Sequence, residues 1–220
     1  LVGPYFIQWS GYKADFEREA SAILGRQVTV RGDVTARILP FPSVTFSDVI
    51  VGDADKPAMT VETFSMDAEL APLLSGEFFI FDMRLVRPKA FIDVAADGTV
   101  DWTMRPSAPF NVRQIAIEKL TVTDGQVTVR QAAGGRDLVL SEIDAAVSAR
   151  SLTGPWRAEG RLRVDGVPTQ LTASTGAVDP EGRMRLRLRA TPANYGFVME
   201  SDGNVIAKEG RVLYAGDFSL

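Results

Sequence analysis

Residues 25–53, GRQVTVRGDVTARILPFPSVTFSDVIVGD, decide the fold. From Gln27 the apolar residues recur every second position. Val28 and Val30 share one parity, and Val34, Ala36 and Ile38 alternate with Thr35 and Arg37. Successive side chains of a strand point to opposite faces, so this spacing predicts half-buried β-strands. Gly32-Asp33 reads as a turn of the chain. Pro40 and Pro42 end the strand, because proline has no amide to give to a ladder, and Val44–Phe46 restarts it.

Upstream the period is helical. Tyr5, Trp9, Tyr12, Phe16, Ala20 and Ile23 form one apolar face, while Lys13, Asp15, Glu17, Arg18 and Glu19 lie off it. A helix is expected over residues 4–24, with Pro4 in its first turn and Gly25 as its stop. Two roles are open to it: a lid on the end of a sheet, or an interfacial helix whose Trp and Tyr sit among lipid headgroups. The opening LVGPYFI is either the exit end of a membrane helix or a frayed apolar terminus.

Downstream the period of two continues. Met59–Leu70 alternates with a change of parity near Thr63, the mark of a bulge. Phe78–Val86 is the most hydrophobic strand, with Phe79, Phe81, Met83 and Leu85 on one parity. Arg87-Pro88 interrupts it, Ala90–Ala95 resumes, and Asp97-Gly98 is a hairpin signal. Arg105–Pro109 is the best linker. Turn signals then recur at Asp124-Gly125, Gly134-Gly135, Gly154-Pro155, Asp165-Gly166, Pro180–Gly182, Asp202-Gly203 and Glu209-Gly210.

No helix-length segment separates these strands, so a parallel α/β sheet is not expected. The fold class is mainly β (α+β): an N-terminal amphipathic helix, then a long, curved antiparallel β meander forming a groove-like sheet. The divisions are a helix at 1–25, a first β unit at 26–105 and a second at 110–220. The units are related by a weak repeat, in which Val44–Val49 matches Ile115–Leu120 and Met59–Leu70 matches Leu138–Ala149.

Composition narrows the function. The 220 residues contain no histidine and no cysteine. This removes the commonest general base and metal ligand, together with thiolate zinc sites, thiol catalysis and disulfides. The net charge of −4 argues against a nucleic-acid partner. Asp53 and Asp55 form a lone D-x-D, short of the oxygen ligands a calcium loop needs. Asp82, Asp93 and Asp101 are carboxylates of the kind glycoside hydrolysis pairs, yet acids are also common on the polar faces of strands. No catalytic residue, metal ligand or cofactor is assigned.

The 25–53 stretch, preceded by WSGYKADFEREASAILG, resembles the amino-terminal region of AsmA-family envelope proteins. LAPLLSGEFFIFDMRLVRP at 70–88, DGTVDW at 97–102 and IEKLTVTDGQVTVR at 117–130 extend the likeness over nearly all of the chain. The family often has Asn where this chain has Asp101. The resemblance implies a periplasmic domain held to the Gram-negative inner membrane by a segment preceding Leu1. It also implies a part in outer-membrane biogenesis and no transferable active site. The partners it implies are phospholipid or another envelope lipid, and envelope proteins.

An acyl chain in water costs about 0.8 kcal/mol per methylene, or ~12 kcal/mol for about fifteen of them. A sheet with one aliphatic parity offsets that cost. The candidate groove lining is Val28, Val30, Phe46, Phe64, Met66, Phe79, Phe81, Met83, Ile115, Ile117, Val127, Val129, Leu162, Val164, Leu186 and Leu188. The same residues would serve equally as a filled core. Arg183, Arg185, Arg187 and Arg189 share one strand face. They are read either as contacts for anionic headgroups or as a solvated face paired with acids on neighbouring strands. Arg157, Arg161 and Arg163 add to that patch only if their strand is adjacent. The functional expectation is a lipid-guiding domain; the alternative is a scaffold for envelope proteins that binds no lipid.

Overall fold

The computed structural model describes residues 10–37, 42–68, 78–97, 99–100, 115–131, 137–151, 154–208 and 211–220. Helix α1 (Ser10–Leu24) leads into β1 (Val28–Val30), β2 (Val34–Arg37), β3 (Ser43–Gly52), β4 (Pro57–Ala68), β5 (Phe78–Val86) and β6 (Lys89–Val94). Then follow β7 (Ile115–Gln131), β8 (Leu138–Ala149), β9 (Trp156–Val164), β10 (Val167–Thr175), β11 (Arg183–Pro192), β12 (Met199–Lys208) and β13 (Arg211–Ser219). All of these strands join one sheet in the order β1-β3-β4-β5-β7-β8-β9-β10-β11-β12-β13, with β2 beside β3 and β6 beside β4 and β7. The mainly β fold with one helix is as expected. Both β units belong to the same sheet. The expected linker at 105–109 lies outside the described residues, as do Tyr5 and Trp9 of the helix stripe.

Two expectations change. The sheet is mixed, because β5 and β6 both run parallel to β7. A parallel join needs a long crossover, and the chain between Val94 and Ile115 supplies one without a helix-length apolar pattern. Several turn signals also do not reverse the chain. β1 and β2 both lie antiparallel to β3, so Gly32-Asp33 only breaks one long strand. A Cβ on Gly32 would sit 2.8 Å from the Ser47 Cβ, so glycine is what lets the two strands approach there. Asp124-Gly125 and Asp202-Gly203 lie inside β7 and β12. Asp165-Gly166 does turn, with both residues at positive φ in the two-residue link between β9 and β10.

The densest core lies at the first edge of the sheet. Val28, Val30, Phe46, Val49, Val51 and Val61 are buried together, with Phe16, Ala20 and Leu24 of α1 packed on them. These three helix residues are four apart, one turn each, and Leu24 takes the place expected of Ile23. Phe16 stacks on Phe46 with ring centroids 3.7 Å apart. The helix also covers the outer edge of β1. The Val28 amide donates to Ser21 Oγ at 2.8 Å and the Val30 amide to Glu17 Oε1 at 2.7 Å. An unpaired strand edge would otherwise invite another chain.

A crease crosses the first half of the sheet. Asp48 in β3 takes a φ of 51°, and the apolar side chains on either side of it, Phe46 and Val49, are three residues apart. Across the ladder, Phe64 and Val61 of β4 show the same slip. This is the parity change expected near Thr63, with its cause in the partner strand. Arg87, at a φ of 48° between β5 and β6, carries the crease on: its guanidinium pairs with Glu62, and its amide donates to the Thr123 carbonyl at 2.9 Å. Asp124 of β7 (φ 51°) and Glu142 of β8 (φ 48°) continue it. The Asp124 amide donates to Asp144 Oδ1 at 3.0 Å. Irregularities of this kind bend a sheet and increase its twist.

Candidate functional site

Residues opposite one another in a ladder share a face, so the register shows which side chains line up. One row runs Val34, Phe46, Phe64, Leu85, Val122, Ala145, Gly160, Leu171, Ala190 and Met199. A second runs Ala36, Val44, Met66, Met83, Leu120, Val147, Ala158, Ala173 and Leu188, ending at Ser201 and Phe218. On the other side of the crease Val28, Val51, Met59, Ala90, Val127, Leu140, Val164 and Val167 form a third. The slip at Asp48, Asp124 and Glu142 keeps all three rows on the same face of the sheet.

Thirteen of the sixteen candidate lining residues stand on this face. Val28, Val30, Phe46, Ile117 and Leu162 are buried. Phe64, Met66, Met83, Val127, Val129, Val164, Leu186 and Leu188 are half-buried. Phe81 leaves the expected parity: the ladder shifts register between Asp67 and Ala68, and Ile80 is buried opposite Ala68 and Ile117. The side chains of Phe79 and Ile115 lie outside the described ones. Leu120, Val122, Ala145 and Val147 belong to the rows and were not singled out from sequence. Their parity runs through the slip at Asp124, which a fixed period of two cannot follow.

Cover on the apolar face is uneven. The only helix among the described residues, α1, packs on the β1-β3-β4 end. Beyond α1 the first row, from Phe64 through Leu85, Val122, Ala145 and Gly160 to Leu171, is half-buried. Toward the last strand Tyr214 shapes the face. Its ring lies over Gly203 and Gly216, where any Cβ would collide with it and with neighbouring backbone, and its hydroxyl hydrogen-bonds the Ser201 hydroxyl.

The opposite face is charged and self-paired. Arg183, Arg185, Arg187 and Arg189 are all exposed along β11. Arg183 binds Asp179 at 3.0 Å and also Glu181. Arg185 and Arg187 share Asp202 at 2.8 and 3.0 Å, and Arg189 binds Glu200 at 2.5 Å. The acid-paired reading therefore describes these arginines. Hydrogen bonds from Arg185, reinforced by Arg187, hold the Asp202 carboxyl down at about 2. β10 lies between β9 and β11, so Arg157, Arg161 and Arg163 are not on an adjacent strand.

The acids raised from sequence have local roles. Asp82 and Asp67 both bind Arg84. Asp93 binds Lys56 at 2.9 Å and Arg130 at 3.5 Å, and the Lys56 ammonium is the main cause of its lowered pKa. Asp53 Oδ1 accepts the Asp55 amide at 3.1 Å, which closes the turn between β3 and β4. Asp101 lies outside the described residues. Among the described residues no helix is long and apolar enough to cross a membrane. In comparisons with known proteins, no family model matches the chain and no curated protein matches it.

Proposed function

We propose that this chain binds lipid acyl chains along the apolar face of its sheet and guides them across the strands. The observation that carries the reading is the unbroken apolar row from Phe46 to Leu171, packed under α1 at one end and only half-buried beyond it. A filled core would have a second layer on that face; a lipid track needs it uncovered. Each row is one residue wide per strand, so successive strands place apolar contacts about 4.8 Å apart, close enough for a hydrocarbon chain to touch several at once. The charged reverse face keeps the single layer soluble. The resemblance to AsmA-family proteins supports the same reading and, with it, a periplasmic domain tied to the inner membrane. No catalytic step is proposed.

The test is extraction of the purified chain with organic solvent and mass spectrometry of the extract, alongside titration with a fluorescent fatty acid. Co-purified phospholipid and saturable binding are expected. Failure of both sinks the reading.

A scaffold role is the second reading. It is favoured by β13, which among the described residues pairs only with β12 and so presents its other edge to a further strand. It predicts partner capture through β13 with no lipid in the extract.

A further inference from the structure

We propose that the loop between β11 and β12, residues 193–198, is the point at which this chain touches a lipid bilayer and takes lipid onto its apolar face. The uptake step rests on the lipid reading above; the contact itself rests on separate observations. The ten residues Ala190–Met199, ATPANYGFVM, carry no charge, in a chain where 24% of residues are charged. The charges that flank them, Arg189 and Glu200, pair with each other at the base of the loop. The segment therefore leaves the sheet with its nearest charges already neutralised.

Beyond that pair, large apolar side chains stand in water. Tyr195 is 54% exposed, Phe197 38% and Met199 41%. The Tyr195 and Phe197 rings lie 5.5 Å apart and pack against each other. The loop is also tied in place. The Ala193 amide donates to the Pro168 carbonyl at 2.8 Å and the Tyr195 amide to the Pro192 carbonyl at 3.4 Å. The aromatic pair is thus held outward by a fixed backbone.

Two further features point to a bilayer as the occupant. Tyrosine and phenylalanine on an uncharged tip suit the boundary between headgroup and hydrocarbon, where a ring is apolar at its body and the phenol stays wet. Met199 faces Ala190, at the end of the long apolar row, so the tip is continuous with the face proposed to carry acyl chains. The absence of basic residues from the segment predicts contact with neutral lipid that does not depend on surface charge.

The test uses the 220-residue chain and vesicles of phosphatidylcholine. Flotation measures contact, and transfer of a fluorescent fatty acid from vesicle to protein measures uptake. The double variant Tyr195→Ser, Phe197→Ser changes exposed loop positions only, and circular dichroism confirms that it is folded. At least about a tenfold fall in vesicle partitioning and in transfer rate is expected, with unchanged affinity for probe added from solution. Flotation of the original chain should persist in 1 M salt. The proposal is overturned if the original chain does not float, if the variant floats equally well, or if salt releases the chain. If neither protein binds the probe in solution, the acyl-track reading fails, and flotation alone decides the bilayer contact. Loss of a protein partner's binding in the variant, without any vesicle contact by the original chain, assigns the loop to a protein interface and also overturns the proposal.

Discussion

Asp48 of β3 and Asp124 of β7 hold the same station on one crease, each with a φ of 51°. Each follows two residues after an apolar side chain on the inner face, Phe46 in one case and Val122 in the other. Each also precedes the residue that resumes that face, Val49 or Gly125. The crease thus matches Val44–Val49 to Leu120–Gly125, not to Ile115–Leu120 as alternation alone suggests. The left-handed residues Asp48, Arg87, Asp124 and Glu142 carry the inner face through the bend without sending a charged side chain inward.

The left-handed conformation tolerates glycine and, less readily, aspartate, and it penalises β-branched residues. Asp124→Gly should leave stability within about 0.5 kcal/mol, whereas Asp124→Val should cost about 1–2 kcal/mol. Urea unfolding of the two variants checks this. Equal midpoints would mean that the crease is not set by this residue.

Cover by α1 should make the two ends of the sheet respond differently to truncation. Phe46→Ala removes a ring buried under Phe16 and should cost about 3–5 kcal/mol. Leu188→Ala removes a half-buried side chain and should cost about 1–2 kcal/mol. Comparable losses in thermal and urea unfolding would show that the far end is covered as well.

The helix also protects an edge. Glu17→Ala leaves the Val30 amide without its acceptor and should destabilise by about 1–3 kcal/mol. Hydrogen exchange should quicken at Val30 in that variant, while exchange in β9 and β10 stays as it was. An unchanged rate at Val30 would show that the edge does not depend on this contact.

Acid should act on the charged face at low pH only. The folded Asp202 carboxyl titrates at about 2, below its ordinary value, so its contribution is present above about pH 4 and is lost as the pH falls through about 2. Arg185→Gln should move that titration upward, read by carbon-detected NMR of the carboxyl. The group is exposed, so the accompanying change in melting temperature should be small. A titration that does not move would assign the depression to something other than Arg185.

A charge on the apolar face should block lipid, while one on the reverse face should not. Leu188→Glu is expected to weaken binding of a fluorescent fatty acid at least about tenfold. Thr172→Glu, exposed opposite Arg189 and Glu159, should bind as the original chain does. Equal binding by both variants would remove the apolar face from the site.

Alternation of Val, Phe, Leu and Arg with period two was enough to show a β protein with one leading helix, because the direction of a strand's side chains is a local property. The same held for the four arginines of β11, whose common face follows from spacing alone. The ladder assigned the partners of Arg185, Arg187 and Arg189, since Asp202 and Glu200 reach them only across a neighbouring strand. The parallel join at β7 was equally invisible, because strand order depends on which edges meet after a long crossover. So was the apolar row itself, since the left-handed residues at Asp48, Asp124 and Glu142 shift its parity mid-strand. Residue chemistry set which side chains avoid water; register between distant strands set which of them stand together and which α1 covers.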